Sequence, residues 1–450
     1  MTTTPNTKVD MLNGPLFMKI LIFALPLAAS SLLQQLFNSV DVAVVGRFAS
    51  SKALAAVGSN APVIGLLINL FVGISMGANV VISNHIGQRD NQSIRHTVST
   101  VAMVALISGL MLLGIGVVVS RPIHELMDTP ADVIDMAVLY LRIYFLGIPF
   151  FLIFNFGAAI LRSMGDTRRP LYILVVAGII NTILNMIFVI CFGMGVEGVA
   201  ISTAIANAVS AVCIVYILRR EPGPLQLDFK HIRIYRKELR RMLQIGIPAG
   251  LQGMIFSFSN VVVQSAINSY GSAAIAGSAA AVNFEYYCYY IIVACNGAAI
   301  SFIGQNYGAR KYDRVRRIYH MCMLMGVVGC FAANAFFTWQ HDFFLSFFTT
   351  DSEVMHYGTM RMETALLFQF LACSYEITGS ALRGMGESML PTIMTVFGTC
   401  VLRMIWVFAV APHYHGFMEL MQVYPLSWVL TGIMVIVAYK VSMRKLCPTT

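Results

Sequence analysis

Twelve apolar stretches run through this chain, the first at Leu16–Val45 and the last at Val423–Val441. The hydrocarbon core of a bilayer is about 30 Å thick, and an α-helix needs roughly 20 apolar residues to cross it. Inside hydrocarbon the backbone must satisfy its own hydrogen bonds, so such stretches are expected as helices. Of the 450 residues, 58% are hydrophobic and 11% charged. A soluble domain is about 45–50% apolar and about 25% charged. The excess excludes one water-soluble core and sets the expected fold class: all-α integral membrane, with twelve transmembrane helices. Residues Met1–Asp10 are polar, and the run from Leu16 is long enough to span rather than act as a cleaved signal. The nine cysteines include no CxxC pair, and most, such as Cys191, Cys213, Cys295 and Cys400, sit inside apolar runs. They read as small hydrophobes, with neither a disulfide framework nor a metal site.

The connectors alternate in charge. With the N-terminus inside, the inner connectors and ends hold 24 of the 30 lysines and arginines, eight of them between Arg219 and Arg241. The outer side is richer in acids: Glu125, Asp128, Asp132 and Asp135 in one loop, Asp342, Asp351 and Glu353 in another. Basic residues mark the cytoplasmic face. Both termini are therefore expected in the cytoplasm of a multi-pass cell (inner or plasma) membrane protein. The net charge of +9 is a topology signal, and no nucleic-acid partner is expected.

The chain also repeats itself. Pro26 in the first run and Pro248 in the seventh stand 222 apart, and Leu161-Arg162-Ser163-Met164-Gly165-Asp166 matches Leu382-Arg383-Gly384-Met385-Gly386-Glu387 at 221. Ile82 to Gly87 aligns with Ile303 to Gly308 at that same offset, and Arg142 and Arg361 stand at corresponding entries to runs four and ten. Six spans per half make a parallel internal repeat, its axis along the membrane normal. The expected parts are a cytoplasmic tail (1–15), an N-lobe (16–218, helices 1–6), a basic cytoplasmic linker (219–241), a C-lobe (242–441, helices 7–12) and a second tail (442–450). Duplicated lobes suit a carrier opening alternately to each side.

Ionisable residues at membrane depth are costly and point to function. Four stand out: Asp41, Glu285, Glu376 and Arg403. Gln34, Asn38 and Asp41 share one helix face; run five adds Asn181 and Asn185, and run six adds Thr203. A carboxylate amid amide and hydroxyl oxygens can hold a proton or Na⁺, which makes Asp41, Asn38, Asn181, Asn185 and Thr203 the candidate coupling set. Glu285 precedes Tyr286, and Glu376 follows Tyr375. Acids beside aromatic rings suit a lipophilic cation. The competing reading is a structural ion pair with Arg403. Glu285, Glu376, Gln34, Tyr286, Asn155 (the counterpart of Glu376) and Phe37 are the candidate solute-binding residues. The acids are not duplicated, since Asp41 corresponds to Val263.

No P-loop is present, so ATP is not the expected energy source, and no cofactor is expected. Gly73-Ile74-Ser75-Met76-Gly77 imitates a nucleophile elbow, but within a long apolar run its glycines read as a helix-packing site.

The paired LR-x-MG-[DE] elements, the prolines of runs one and seven, and Asn38-Ser39-Val40-Asp41 followed by Gly46 together resemble the multidrug and toxic compound extrusion family, prokaryotic type, over about Leu16 to Lys445. The resemblance implies an antiporter that exports organic cations and amphipathic drugs against inward H⁺ or Na⁺, with no obligate protein partner. It implies an N-lobe site on helices one, five and six that Asp41 and Asn181 fit; Asn185 stands where the family has a second acid. The nearest rival in the same superfamily is a flippase of lipid-linked oligosaccharide. That activity calls for cations lining a cleft, whereas intramembrane acids here outnumber Arg403. An intramembrane enzyme would need a catalytic constellation that the sequence lacks.

Overall fold

The computed structural model describes residues 8–127, 129–413 and 416–446. Asp128 and the ends of both expected tails lie outside them. Among the described residues twelve helical segments are long and apolar enough to span a membrane. They are α1 (Leu16–Phe48), α2 (Lys52–Gln88), α3 (Asn91–Leu126), α4 (Ile134–Ser163), α5 (Arg168–Cys191), α6 (Val196–Arg220), α7 (Arg236–Asn268), α8 (Ser272–Gly308), α9 (Tyr312–Trp339), α10 (Ser352–Gly384), α11 (Met389–Val410) and α12 (Phe417–Lys445). The chain is thus a multi-pass membrane protein.

By backbone contacts it divides into two compact units, Ala29–Gly250 with residues 8–10, and Met11–Ala28 with Leu251 onward. The divisions fall inside α1 and α7, two residues beyond Pro26 and Pro248, and not at the helix boundaries used for the expected lobes. A helix-interior proline removes one backbone donor and clashes with the carbonyl four residues back. Each helix therefore lacks one backbone hydrogen bond a few residues before the chain passes from one unit to the other.

The units are built alike. In the first, α4 packs against α2, α3 and α6, and α5 lies on α6; in the second, α10 packs against α8, α9 and α12, and α11 lies on α12. The repeated sequence elements are turns between helices. Gly165 and Gly386 both have φ +93°. Asp166 N donates to Leu161 O (3.0 Å) and Glu387 N to Leu382 O (3.0 Å), closing α4 and α10 in the same way. The acid then opens the next helix: Asp166 Oδ1 accepts from the backbone N–H of Arg168 and Arg169 (3.1 Å each), and Glu387 Oε1 from that of Leu390 (3.2 Å). Helix ends leave backbone groups unpaired, and a capping acid satisfies them. Arg89 and Arg310, also 221 apart, both take φ +58° at the ends of α2 and α8.

Within the first unit, Gly73 and Gly77 of α2 form the close helix packing expected of them, and they do so against Gly246 and Gly250 at the start of α7. A Cβ on Gly73 would lie 2.3 Å from Gly250 N, and one on Gly77 would lie 2.3 Å from Met242 O. Only backbone is in the way, so nothing can swing aside. Gly73→Val should therefore destabilise the detergent-purified protein by about 1–3 kcal/mol, as overpacking does, read as an earlier thermal unfolding midpoint. Gly58→Ala, with nothing within 4 Å, should leave the midpoint unchanged or raise it.

Candidate functional site

In the first unit Asp41 sits at the centre of a small polar cluster. Its Oδ1 accepts from Asn185 Nδ2, and its Oδ2 accepts from Thr203 Oγ1 at 3.4 Å. Asn185 Nδ2 also reaches Asn181 Oδ1 (3.3 Å), and Asn181 Nδ2 donates to Thr203 Oγ1 (3.4 Å). Asn181 and Asn185 lie one turn apart on α5, which sets both on one face. Asn185 is fully buried, and its Oδ1 has no hydrogen-bond partner among the described residues. Immediately after Asn185 the helix widens to a π-helical turn, Met186–Cys191. Trp406–Val410 in α11 does the same at nearly the repeat offset. π-turns interrupt the regular ladder and recur at functional sites.

Asp41 also lines a cavity of about 270 Å³, whose wall includes Gln34, Phe37, Asn38, Tyr144, Asn181 and Thr203. Six of the candidate residues thus share one hollow. Asn155 is not in its wall; its Nδ2 donates to Phe151 O of its own helix (3.0 Å). Gly178 is a wall residue that the sequence reading missed. The Phe37 ring rests against it so closely that a Cβ there would lie 1.8 Å from Cε2.

The second unit is organised differently. Glu285 pairs in two-pronged fashion with Arg361: Nε donates to Oε1 (2.6 Å) and Nη2 to Oε2 (3.1 Å). The sequence reading set Glu285 against Arg403; the pair is with Arg361 because α10, not α11, lies along α8. Glu376, half-buried, accepts from Tyr289 Oη (3.3 Å) and Asn296 Nδ2 (3.1 Å). Arg403 is buried yet, among the described residues, pairs with no carboxylate, so its expected ion pair is corrected. Its Nη1 donates to Asn260 Oδ1 (2.9 Å) and its Nε to Ser427 Oγ (3.3 Å), between the rings of Phe256 and Tyr424. Tyr286 is largely exposed, 48%. The balance of charge is also revised, because Arg361 joins Arg403 as a cation inside a span. Arg361 was visible in the sequence as the counterpart of Arg142, but its role was not. Arg142 donates to Ser120 Oγ (3.1 Å) and, among the described residues, pairs with no acid.

Two like-built six-span units, one holding a carboxylate among neutral polar groups beside a cavity, define a duplicated membrane transporter. The chain belongs to the MatE family: residues 26–187 and residues 248–408 each match it, the two matches beginning at Pro26 and Pro248. It is 29% identical over 385 residues to YoeA of Bacillus subtilis, a probable multidrug resistance protein, covering 84% of this chain and 83% of that one. It is 23% identical over 390 residues to MepA of Staphylococcus aureus, a multidrug export protein, covering 86% of each. The fold matches an outward-facing multidrug resistance MATE family transporter (TM-score 0.91, 23% identity, 100% of both chains). It also matches a MOP superfamily transporter from Pyrococcus furiosus (TM-score 0.90, 22% identity, 100% of both chains).

If Glu285 and Arg361 are first of all a structural pair, losing one partner strands a buried charge, at about 3–5 kcal/mol, while losing both costs far less. Arg361→Met and Glu285→Gln should each lower the thermal midpoint in detergent sharply, and the double variant should recover most of the loss. Additive losses would contradict the pairing.

Proposed function

We propose that this protein is a secondary active multidrug efflux antiporter that exports organic cations and amphipathic drugs in exchange for an inward ion, with both termini in the cytoplasm. One observation carries the reading: the carboxylate held by Asn185 and Thr203 is also part of the cavity wall. Ion and cationic solute then compete for the same charge. Uptake of the ion neutralises Asp41 and weakens the hold on the drug, and drug binding disfavours the ion. That reciprocity is what coupling requires. The cavity lies just under the roughly 300–1,000 Å³ usual for drug-sized pockets, so it suits a small cation or the charged end of a larger one. The names of YoeA and MepA support the drug as cargo.

Of the two ions, H⁺ is the better fit. The cluster holds one carboxylate, with Asn185 where a second acid would add charge for Na⁺, and a single proton fully neutralises it. The buried, unpartnered Oδ1 of Asn185 can accept a hydrogen bond from a protonated Asp41. A lipid-linked oligosaccharide as cargo finds less support, because Arg361 is already paired with Glu285.

In proteoliposomes, an inward proton gradient should drive efflux of a labelled lipophilic cation, and a Na⁺ gradient at equal pH should not. Asp41→Asn should abolish that efflux with normal expression and an unchanged unfolding midpoint; full efflux from this variant would refute the proposal. Asn185→Asp should make efflux responsive to Na⁺. Gly178→Val should push the Phe37 ring into the cavity and cut efflux at least about tenfold, the scale of a misplacement near 1 Å at a working site.

A further inference from the structure

Outside the Asp41 hollow, the first unit has two adjoining cavities at the end carrying the basic segment. The first, about 780 Å³, is polar and lies between the start of α3 and the segment that follows α6; Arg95, His96, Asp228 and His231 line it. The second, about 230 Å³, is almost wholly apolar, with Met103, Leu106, Ile153, Phe156 and Val215 among its lining residues. Leu227 lines both, so the two adjoin.

The segment above them is fastened in place. Arg233 N donates to Ser99 Oγ (2.6 Å), Tyr235 N to Thr100 Oγ1 (3.0 Å), and the Tyr235 ring stacks on His96 with centroids 3.8 Å apart. The polar cavity is therefore a formed feature of the fold. Its charges are unequal. Asp228 is engaged by His231 (Oδ2–Nδ1 2.7 Å), which with backbone hydrogen bonding holds its carboxyl below the usual range. Arg95 is exposed and, among the described residues, has no carboxylate partner. Arg95 is thus a positive charge in the cavity wall left free to meet an anion, with hydrogen-bond donors around it.

The distances suit a lipid. From Arg95 to Leu106 the helix rises about 16 Å, close to half of the roughly 30 Å hydrocarbon thickness. Leu106 is 44% exposed, so the apolar groove is open along its side. Phe229 and Ile234, 53% and 43% exposed, flank the polar cavity as apolar residues do at a membrane interface.

We propose that the two cavities together bind one anionic phospholipid, its phosphate at Arg95 and His96 and one acyl chain in the groove along α3, α4 and α6. The basic segment after α6 then has a bound lipid beneath it, and this holds whether or not the protein is an antiporter. Neither the polar cavity nor the groove contains Asp41 or any residue of its cluster.

Native mass spectrometry of the full-length, delipidated protein tests this, titrating phosphatidylglycerol, phosphatidylcholine and inorganic phosphate separately. Wild type should retain phosphatidylglycerol about tenfold more tightly than phosphatidylcholine, and Arg95→Glu should erase that preference. Leu106→Trp, at the open side of the groove, should weaken both lipids while leaving phosphate binding unchanged. Ala102→Trp, deeper in the groove, is a second variant should Leu106→Trp lower the unfolding midpoint. Equal retention of the two lipids by wild type, or a preference unchanged in Arg95→Glu, would overturn the proposal. So would inorganic phosphate competing as well as the lipid with the groove variants silent, which would mean an anion site without a chain.

Discussion

Hydrocarbon offers a polar group no partner, and every part of this chain that is not apolar is arranged around that fact. Each unit meets it in the backbone first. The turns after α4 and α10 use a glycine at φ +93° to bend, a backbone N–H to close the old helix, and an acid to open the next one. The repeated LR-x-MG-[DE] element is the sequence trace of that solution, used twice because the helices on either side were duplicated. The glycine pairs of α2 and α7 follow from the same constraint. Lipid does not squeeze helices together, so close association relies on van der Waals contact between backbones, which side chains would prevent.

Side chains face the constraint more severely, and Glu285 and Asp41 answer it in opposite ways. In the second unit, Glu285 is met by Arg361 through two hydrogen bonds, charge against charge. In the first, Asp41 is met, among the described residues, by an asparagine amide and a threonine hydroxyl. A charge-assisted pair with fork geometry is held in one arrangement. A carboxylate among neutral donors keeps a net charge that something from outside can cancel. The sequence difference behind this is small: Asp41 corresponds to Val263, and Arg361 has Arg142 as its counterpart but finds an acid where Arg142 finds Ser120.

How far this was legible in the sequence follows the length scale of each feature. Spans and repeat depend on runs of twenty residues and offsets of about 220, and both stand out because the apolar requirement is so strict. The Asp41 cluster was legible because its members fall on helix faces at spacings of three and four, and because an acid in such a run has few reasons to be there. Partners across helices were not legible. Glu285 meets Arg361 and not Arg403 because of which neighbour α8 lies along, a matter of packing that no spacing within one helix encodes. Nor could the sequence show that Gly178 seats Phe37, that α5 turns π-helical after Asn185, or that Asn155 bonds to its own helix. The division of α1 and α7 just beyond Pro26 and Pro248 is intermediate: both prolines were visible, but a proline reports only a weak point, and contacts decide which side of it joins which unit.

On the reading proposed above, the asymmetry bears on how a duplicated protein divides its charges. Each unit holds an acid among neutral partners, Asp41 with Asn185 and Thr203 and Glu376 with Tyr289 and Asn296, but Glu285 is already paired with Arg361. Where Arg361 already neutralises Glu285, the second unit has little net charge of its own to trade at that point. On that reading the ion-linked change in electrostatics would originate at Asp41. The tyrosines and half-buried Glu376 of the second unit still offer a polar, aromatic surface, held by Tyr289 and Asn296. A solute can be recognised there without the coupling charge being duplicated. On that reading, a division of labour between units of the same fold would rest on a handful of side chains, with the turns and caps of the repeat common to both.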